Sequence, residues 1–168
     1  MRNYSLVVVA IIAFVAGAAI SYYYFQSPIS SASGEIFEPV STDGLTKITP
    51  SINGTTVTLS GDCRVISFDV TVDQAYSIAK GLERSIGARP LTHDIMRDIM
   101  ENFDVRIEQI KIDRYQNEIY YATIIMKQGN SILELDARPS DSIALAIRTG
   151  TTLYMRSDIL EANGALVC

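Results

Sequence analysis

The stretch LDARPSDSIALAIRTGTTLYM, residues 135–155, changes its hydrophobic period in mid-course. Up to Ala137 it follows a strand rule: Leu133, Leu135 and Ala137 fall on one face, Glu134 and Asp136 on the other. After Pro139 a helical period takes over, with Ile143, Ala144 and Ile147 on one side and Gly150 placed to stop it. Ser140 or Asp141 stands where a cap belongs. Thr152 to Met155 then reads as a short strand, and Ser157 to Ala162 as a last helical turn or two. A strand that runs straight into a helix start gathers Asp136, Arg138 and Asp141 at one edge of a sheet. Such a junction serves capping alone, or it serves chemistry.

Working outward, Val105 to Tyr115, Glu118 to Lys127 and Ser131 to Ala137 are three β-rich runs. Gln116-Asn117 and Gly129-Asn130 break them in turn-like fashion, which predicts an antiparallel meander. Val105 and Ile107 occupy odd positions while Ile110 and Ile112 occupy even ones, so a bulge is expected near Glu108-Gln109. Upstream, Thr92 opens a helix with Ile95, Ile99 and Phe103 at four-residue spacing, and these are expected to face the core beside Met96 and Met100. Asp73 is placed to cap another helix, with Ala75, Ile78, Ala79, Leu82 and Ile86 inward and Gly87 as its stop. Before it, Thr55 to Leu59 and Arg64 to Val72 flank Gly61-Asp62 as a hairpin. The fold class is α+β, with helices packed on a mostly antiparallel sheet.

The first 34 residues follow different rules. No charge occurs between Asn3 and Gly34, and a helix from Ser5 to Phe25 would be about 30 Å long, the depth of a bilayer's hydrocarbon core. Tyr22, Tyr23, Tyr24 and Phe25 suit its headgroup end. Residues 1–26 are thus expected to be a membrane anchor, with a cleaved signal peptide as the alternative. Residues 27–54, rich in Ser, Thr, Pro and Gly, read as a stalk, and 55–168 as the domain. Arg2 before the span and none until Glu35 after it puts the N-terminus in the cytoplasm and the domain outside. Asn53-Gly54-Thr55 is a glycosylation-type sequon, which agrees. Cys63 and Cys168 either pair in an oxidising compartment or are two buried thiols.

Beyond the anchor the chain carries a charge near −6, thirteen cations against nineteen anions. That excludes a general coat for nucleic acid and requires a local cation or a bound divalent ion for any phosphate substrate. His93 is the only histidine, and two cysteines are too few for a His/Cys metal cluster. His93 is either the general base or a plain first-turn residue of its helix. Asp94 suits the positive end of that helix in either case. Asp136 and Asp141, one short loop apart, offer the oxygen ligands that Mg²⁺ or Mn²⁺ prefer, or else a turn partner for Arg138 and a cap. Arg138 and Arg89 each precede a proline, which restrains the backbone, and each precedes a helix start. Two such helix ends side by side would make a phosphate site.

Arg89-Pro90-Leu91-Thr92-His93-Asp94, Tyr120-Tyr121-Ala122-Thr123, Asp136-Ala137-Arg138-Pro139-Ser140-Asp141-Ser142-Ile143-Ala144-Leu145-Ala146 and Arg148-Thr149-Gly150-Thr151, in this order, carry a resemblance. The set resembles the bifunctional nuclease domain family over about Gly61 to Leu160. The resemblance implies a compact α+β domain, often homo-oligomeric, in a family some of whose members are described as degrading both DNA and RNA. One departure stands out: Ser67-Phe68-Asp69-Val70-Thr71-Val72-Asp73-Gln74 replaces a Pro-Ile-Trp-Ile-Gly-x-x-Glu-like run. Gln74 there removes a charge. The resulting expectation is a membrane-tethered phosphodiester hydrolase. In it Asp136 and Asp141 hold a divalent metal, His93 moves protons, and Arg89 and Arg138 bind substrate phosphate. The alternative is a non-catalytic extracytoplasmic binding or assembly module, with a small-molecule sensor third.

Overall fold

Among the described residues, alternating apolar and polar residues lay down eight strands in one sheet, and the apolar stripes of three eleven-residue helices close over part of it. The structure, a computed structural model, describes residues 40–168. The expected anchor and the first part of the expected stalk lie outside the described residues. Among the described residues no helix is long and apolar enough to cross a membrane. In chain order the strands and helices begin with β1 (Leu45–Asn53), β2 (Thr56–Gly61) and β3 (Arg64–Asp69), then α1 (Val72–Leu82) and α2 (Thr92–Asn102). The meander follows as β4 (Arg106–Gln116), β5 (Ile119–Gln128) and β6 (Ser131–Ala137). The chain closes with α3 (Pro139–Thr149), β7 (Leu153–Arg156), α4 (Ser157–Asn163) and β8 (Ala165–Leu166). The sheet order is β6-β5-β4-β7-β1-β2-β3-β8, and only β4 with β7 is parallel.

Register explains the core. Ile124 of β5 stands opposite Ile110 of β4, which stands opposite Leu153 of β7, which stands opposite Ile48 of β1. This lateral row of four is almost fully buried. Leu135 of β6 extends it beyond Ile124. The helix α3 buries Ile143, Ala144, Leu145 and Ala146 against β4 and β5. Each large side chain hidden this way contributes about 1.5–3 kcal/mol. The expected bulge occurs where the β4–β5 register shifts between Ile107 and Gln109, and a second lies between Ile112 and Arg114.

Three sequence expectations change. The first is at α1, which is capped by Thr71 rather than Asp73 and ends at Leu82 rather than at Gly87, leaving Leu82 and Ile86 exposed. The stretch read as stalk contains β1, a strand inside the sheet rather than a tether. Its Ser, Thr and Pro content hid the alternation of buried Thr46 and Ile48. Pro50 is tolerated because β7 pairs only with Leu45 to Ile48, leaving that side of Pro50 without a ladder. In α2 the stripe Ile95, Ile99 and Phe103 faces outward, 49%, 51% and 65% exposed, while Met100 and Asp94 go inside. A periodic apolar stripe shows that a helix is amphipathic, but a polar residue with a buried partner can turn the helix about its axis.

Cys63 and Cys168 form a disulfide, with Cα atoms 5.2 Å apart. Cys63 sits in the β2–β3 turn, where it and Asp62 both adopt positive φ, as a two-residue hairpin turn of primed type requires. The bond closes a loop spanning 105 residues. Chain entropy assigns such a crosslink about 3–5 kcal/mol. Urea unfolding of the Cys63→Ser chain should therefore show a loss of that size, and reductant should reproduce it in the wild type. An unchanged unfolding free energy in both would mean that the crosslink restrains nothing.

Candidate active site

Three helix N-termini meet beside the β6–α3 junction. Thr71 caps α1 through a reciprocal pair: Gln74 Oε1 accepts from the Thr71 amide at 2.9 Å, and the Gln74 amide donates to Thr71 Oγ1 at 3.4 Å. Gln74 thus spends its side chain on the cap. At α2, Asp94 Oδ2 accepts from the Leu91 amide at 2.8 Å, and no side chain caps the amides of Thr92 and His93. These are first-turn donors without an intrahelical acceptor. At α3, Arg138 is the extended N-cap that a following proline demands, and Pro139 occupies the first turn, where its missing N–H costs no bond.

The helices are tied together by one buried ion pair. Arg148 Nε donates to Asp94 Oδ1 at 2.6 Å, with the two side chains 3% and 5% exposed. Arg148 also donates to the Ala144 carbonyl on its own helix and to the Ser77 carbonyl on α1, at 2.9 and 3.0 Å. Burial pushes the Asp94 carboxyl up, but hydrogen bonds from Arg148 and Leu91, with the fields of Arg148 and Arg97, outweigh burial and hold it below its ordinary value. Gly81 is required here, because a Cβ would lie 2.9 Å from Arg148 Nη1.

Around this anchor the functional side chains take their places. Asp141 accepts from Arg138 twice, Nε to Oδ2 at 2.7 Å and Nη2 to Oδ1 at 3.3 Å. His93 Nε2 lies 3.4 Å from Asp141 Oδ1, and His93 Nδ1 lies 2.9 Å from Ser77 Oγ. Ser77, His93 and Asp141 form one line from α1 through α2 to α3, a hydrogen bond joining the first two and a 3.4 Å charge contact the last two. Burial is the largest influence on the His93 ring and pushes its pKa below the ordinary value. The Asp141 carboxylate opposes this and Arg148 adds to it. The ring is neutral at pH 7.

Two cavities share His93, Arg138 and Asp141. One, about 310 Å³, runs along the α1 side and includes Asp73, Ser77 and Thr92. The other, about 520 Å³, lies between α2 and β6 over Met96, Ile124, Met126, Leu135 and Leu145, with Asp136 at its rim. The segments 89–94 and 136–141 thus meet around shared space, through His93 and Asp141.

Not every expected residue joins them. Arg89 is exposed on the loop before α2 and lines neither cavity. Asp136 pairs opposite Thr123 on the sheet face away from Leu135, and Arg114 Nη2 reaches its carboxylate at 3.2 Å. Asp141 is paired with Arg138 and Asp136 with Arg114, both through exposed arginine side chains. Among the described residues no group of three or more His, Cys, Asp or Glu is placed to hold a metal. Ser77 and Arg148 were not picked out as site residues from the sequence. The signal for Ser77 was a hydroxyl on the buried stripe of α1, between Ala75 and Ile78.

A family model for the bifunctional nuclease domain matches residues 59–167, well over half of the chain. The chain belongs to the bifunctional nuclease domain family. The match takes in β3 to β8, all the helices of the described residues and the whole His93–Asp141 site, so the Ser77 line is built inside the bifunctional nuclease domain. Two curated proteins from Mycobacterium tuberculosis are similar to it: Uncharacterized protein MT1877 (strain CDC 1551 / Oshkosh) and Uncharacterized protein Rv1829 (strain ATCC 25618 / H37Rv). Each is 34% identical over 79 residues, 47% of this chain and 46% of the relative. The chain therefore spans about half the length of the curated relatives it matches.

His93 yields a measurable consequence. Because its pKa falls on folding, the folded chain binds fewer protons than the unfolded chain just below the ordinary histidine pKa of about 6.5. Its stabilising contribution is complete above that pH and declines as pH drops through the window beneath. NMR titration of the single imidazole should give a midpoint below 6.5, and the His93→Gln chain should lose less stability than wild type on acidification through that window. A midpoint at or above 6.5 would contradict the burial argument.

Proposed function

We propose that the domain hydrolyses phosphodiester bonds at the cavities shared by His93, Arg138 and Asp141. The observation that carries this reading is the neutral His93 ring fixed between Ser77 and Asp141 beside an Arg138 guanidinium that is 70% exposed on its side chain. A neutral imidazole takes a proton at pH 7, and a guanidinium suits phosphate oxygens by shape and charge. The uncapped amides of α2 add partial positive charge where a phosphate would sit. Membership of the bifunctional nuclease domain family supports the same chemistry. The acidic domain disfavours long duplexes, so the substrate class is a short single-stranded nucleic acid or a nucleotide diester. The carboxylates are already paired, and no step here runs through a metal ion.

The placement we propose is extracytoplasmic, behind a membrane anchor at residues 1–26. Two observations support it: the Cys63–Cys168 bond, which persists in oxidising compartments, and the sequon at Asn53, exposed on the β1–β2 turn. External protease should digest the domain on intact cells, and a protected domain would reverse the orientation.

A second reading, an assembly module without catalysis, is favoured by the exposed Ile95 and Ile99 of α2 with Phe103 at its end, and by the outer edge of β6, which no strand pairs among the described residues, beside exposed Leu133. In that reading a second copy covers both surfaces, and Phe103→Glu would turn a dimer into a monomer by light scattering.

The hydrolysis reading is tested with the full-length chain in mild detergent and short single-stranded DNA and RNA, in Mg²⁺, in Mn²⁺ and in chelator. His93→Gln should slow cleavage about 100-fold or more. Arg138→Met should mainly raise KM. Absence of cleavage by the wild type in all three conditions would leave the assembly reading.

A further inference from the structure

Asp141 sets the tautomer of His93. Its carboxylate is negative and only accepts, so its field favours the neutral-ring proton on the nitrogen facing it, Nε2, 3.4 Å away. In a neutral ring the lone pair is then on Nδ1, and Nδ1 meets Ser77 Oγ at 2.9 Å. The hydroxyl is therefore the donor. The one basic nitrogen of the only histidine is aimed at a side chain of α1, not at open solvent. Any reaction that draws on the basicity of His93 at Nδ1 begins with the proton of Ser77.

Ser77 is placed to use that proton loss. It lines the cavity of about 310 Å³ together with His93, Arg138 and Asp141. It is 6% exposed, and that cavity reaches it. The order of groups, hydroxyl to imidazole to carboxylate, is that of an activated serine, with the two ring nitrogens exchanged relative to the serine hydrolases.

We infer that Ser77 is a nucleophile, activated by His93 and supported by Asp141, that attacks the phosphorus of a phosphodiester seated against Arg138. This rests on the phosphodiesterase reading and names the atom that attacks. In the first half the Oγ–P bond forms as the P–O bond to the leaving nucleoside breaks. The Ser77 proton moves to Nδ1 and from there to the departing oxygen. In the second half water gives a proton to Nδ1 and bonds to phosphorus, the Oγ–P bond breaks, and Oγ regains the proton. Asp141 faces the imidazolium in both halves, and Arg138 faces the phosphoryl oxygens. No oxidant or further reactant is needed.

The test uses the full-length chain in mild detergent with diisopropyl fluorophosphate, whose phosphorus accepts Oγ while fluoride leaves. One adduct is expected, placed on Ser77 by fragmentation mass spectrometry. His93→Gln should slow its formation about 100-fold. Ser77→Ala should abolish it and cut diester hydrolysis by a similar factor at an unchanged melting temperature. Labelling of the wild type depends on no variant folding, so absence of the Ser77 adduct overturns the inference. Hydrolysis at the wild-type rate by Ser77→Ala overturns it too, while leaving the phosphodiesterase reading in place. An adduct on Ser77 in a chain that cleaves no nucleic acid keeps the nucleophile and removes the phosphodiester instead.

Discussion

The Asp94–Arg148 ion pair is the constraint on which the site depends. It is buried, it joins α2 to α3, and through the Ser77 carbonyl it takes in α1. Removing one partner would strand a buried charge, a cost of about 3–5 kcal/mol. Its more specific effect is rotational. With Asp94 pulled inward, α2 turns so that His93 faces α1 and α3, while Ile95 and Ile99 are carried to the surface. The same pair also fixes the height of α1, because the guanidinium occupies the space that a side chain at Gly81 would need. The line from Ser77 to Asp141 follows from that rotation and that height.

Much of the fold was legible because the strands follow period two and the hairpins carry recognisable turns. The meander, its bulge, the β6–α3 junction and the Gly150 stop all follow from residues close together in sequence. The failures are equally physical. Thr46 and Ile48 alternate over too short a span to outweigh the Ser, Thr and Pro around them, so β1 looked like tether. The α2 stripe was assigned to the core because a hydrophobic count gives no weight to a carboxylate that finds a buried arginine 54 residues later. Pairing of Cys63 with Cys168 depended on where the last strand returns, beside β3, and nothing local in the sequence sets that.

The site was half legible for a related reason. Asp141, Arg138 and His93 lie in marked junctions, at prolines and helix starts, where a sequence shows that direction is restrained. The meeting of 89–94 with 136–141 could be posed from those junctions but not computed. Ser77 lies in the middle of a helix, where its one mark is a hydroxyl on the apolar stripe between Ala75 and Ile78. Asp136 differs: alternation places it on the polar face, where its carboxylate pairs with Arg114 and it reaches only the rim of the cavity that Asp141 lines.

Pairing of Arg138 with Asp141 could be taken as a closed, structural contact. The geometry argues otherwise. The Arg138 side chain is 70% exposed, and a solvent-exposed ion pair is worth only about 0–1 kcal/mol, so an arriving phosphate competes for the guanidinium at little cost. Asp141 is less exposed and keeps a second partner, because His93 Nε2 faces the same carboxylate. Losing Arg138 to a phosphate would leave Asp141 more strongly directed at His93, which raises the basicity of Nδ1. In the proposed reaction, arrival of the anion and activation of the base would thus be coupled through a single carboxylate.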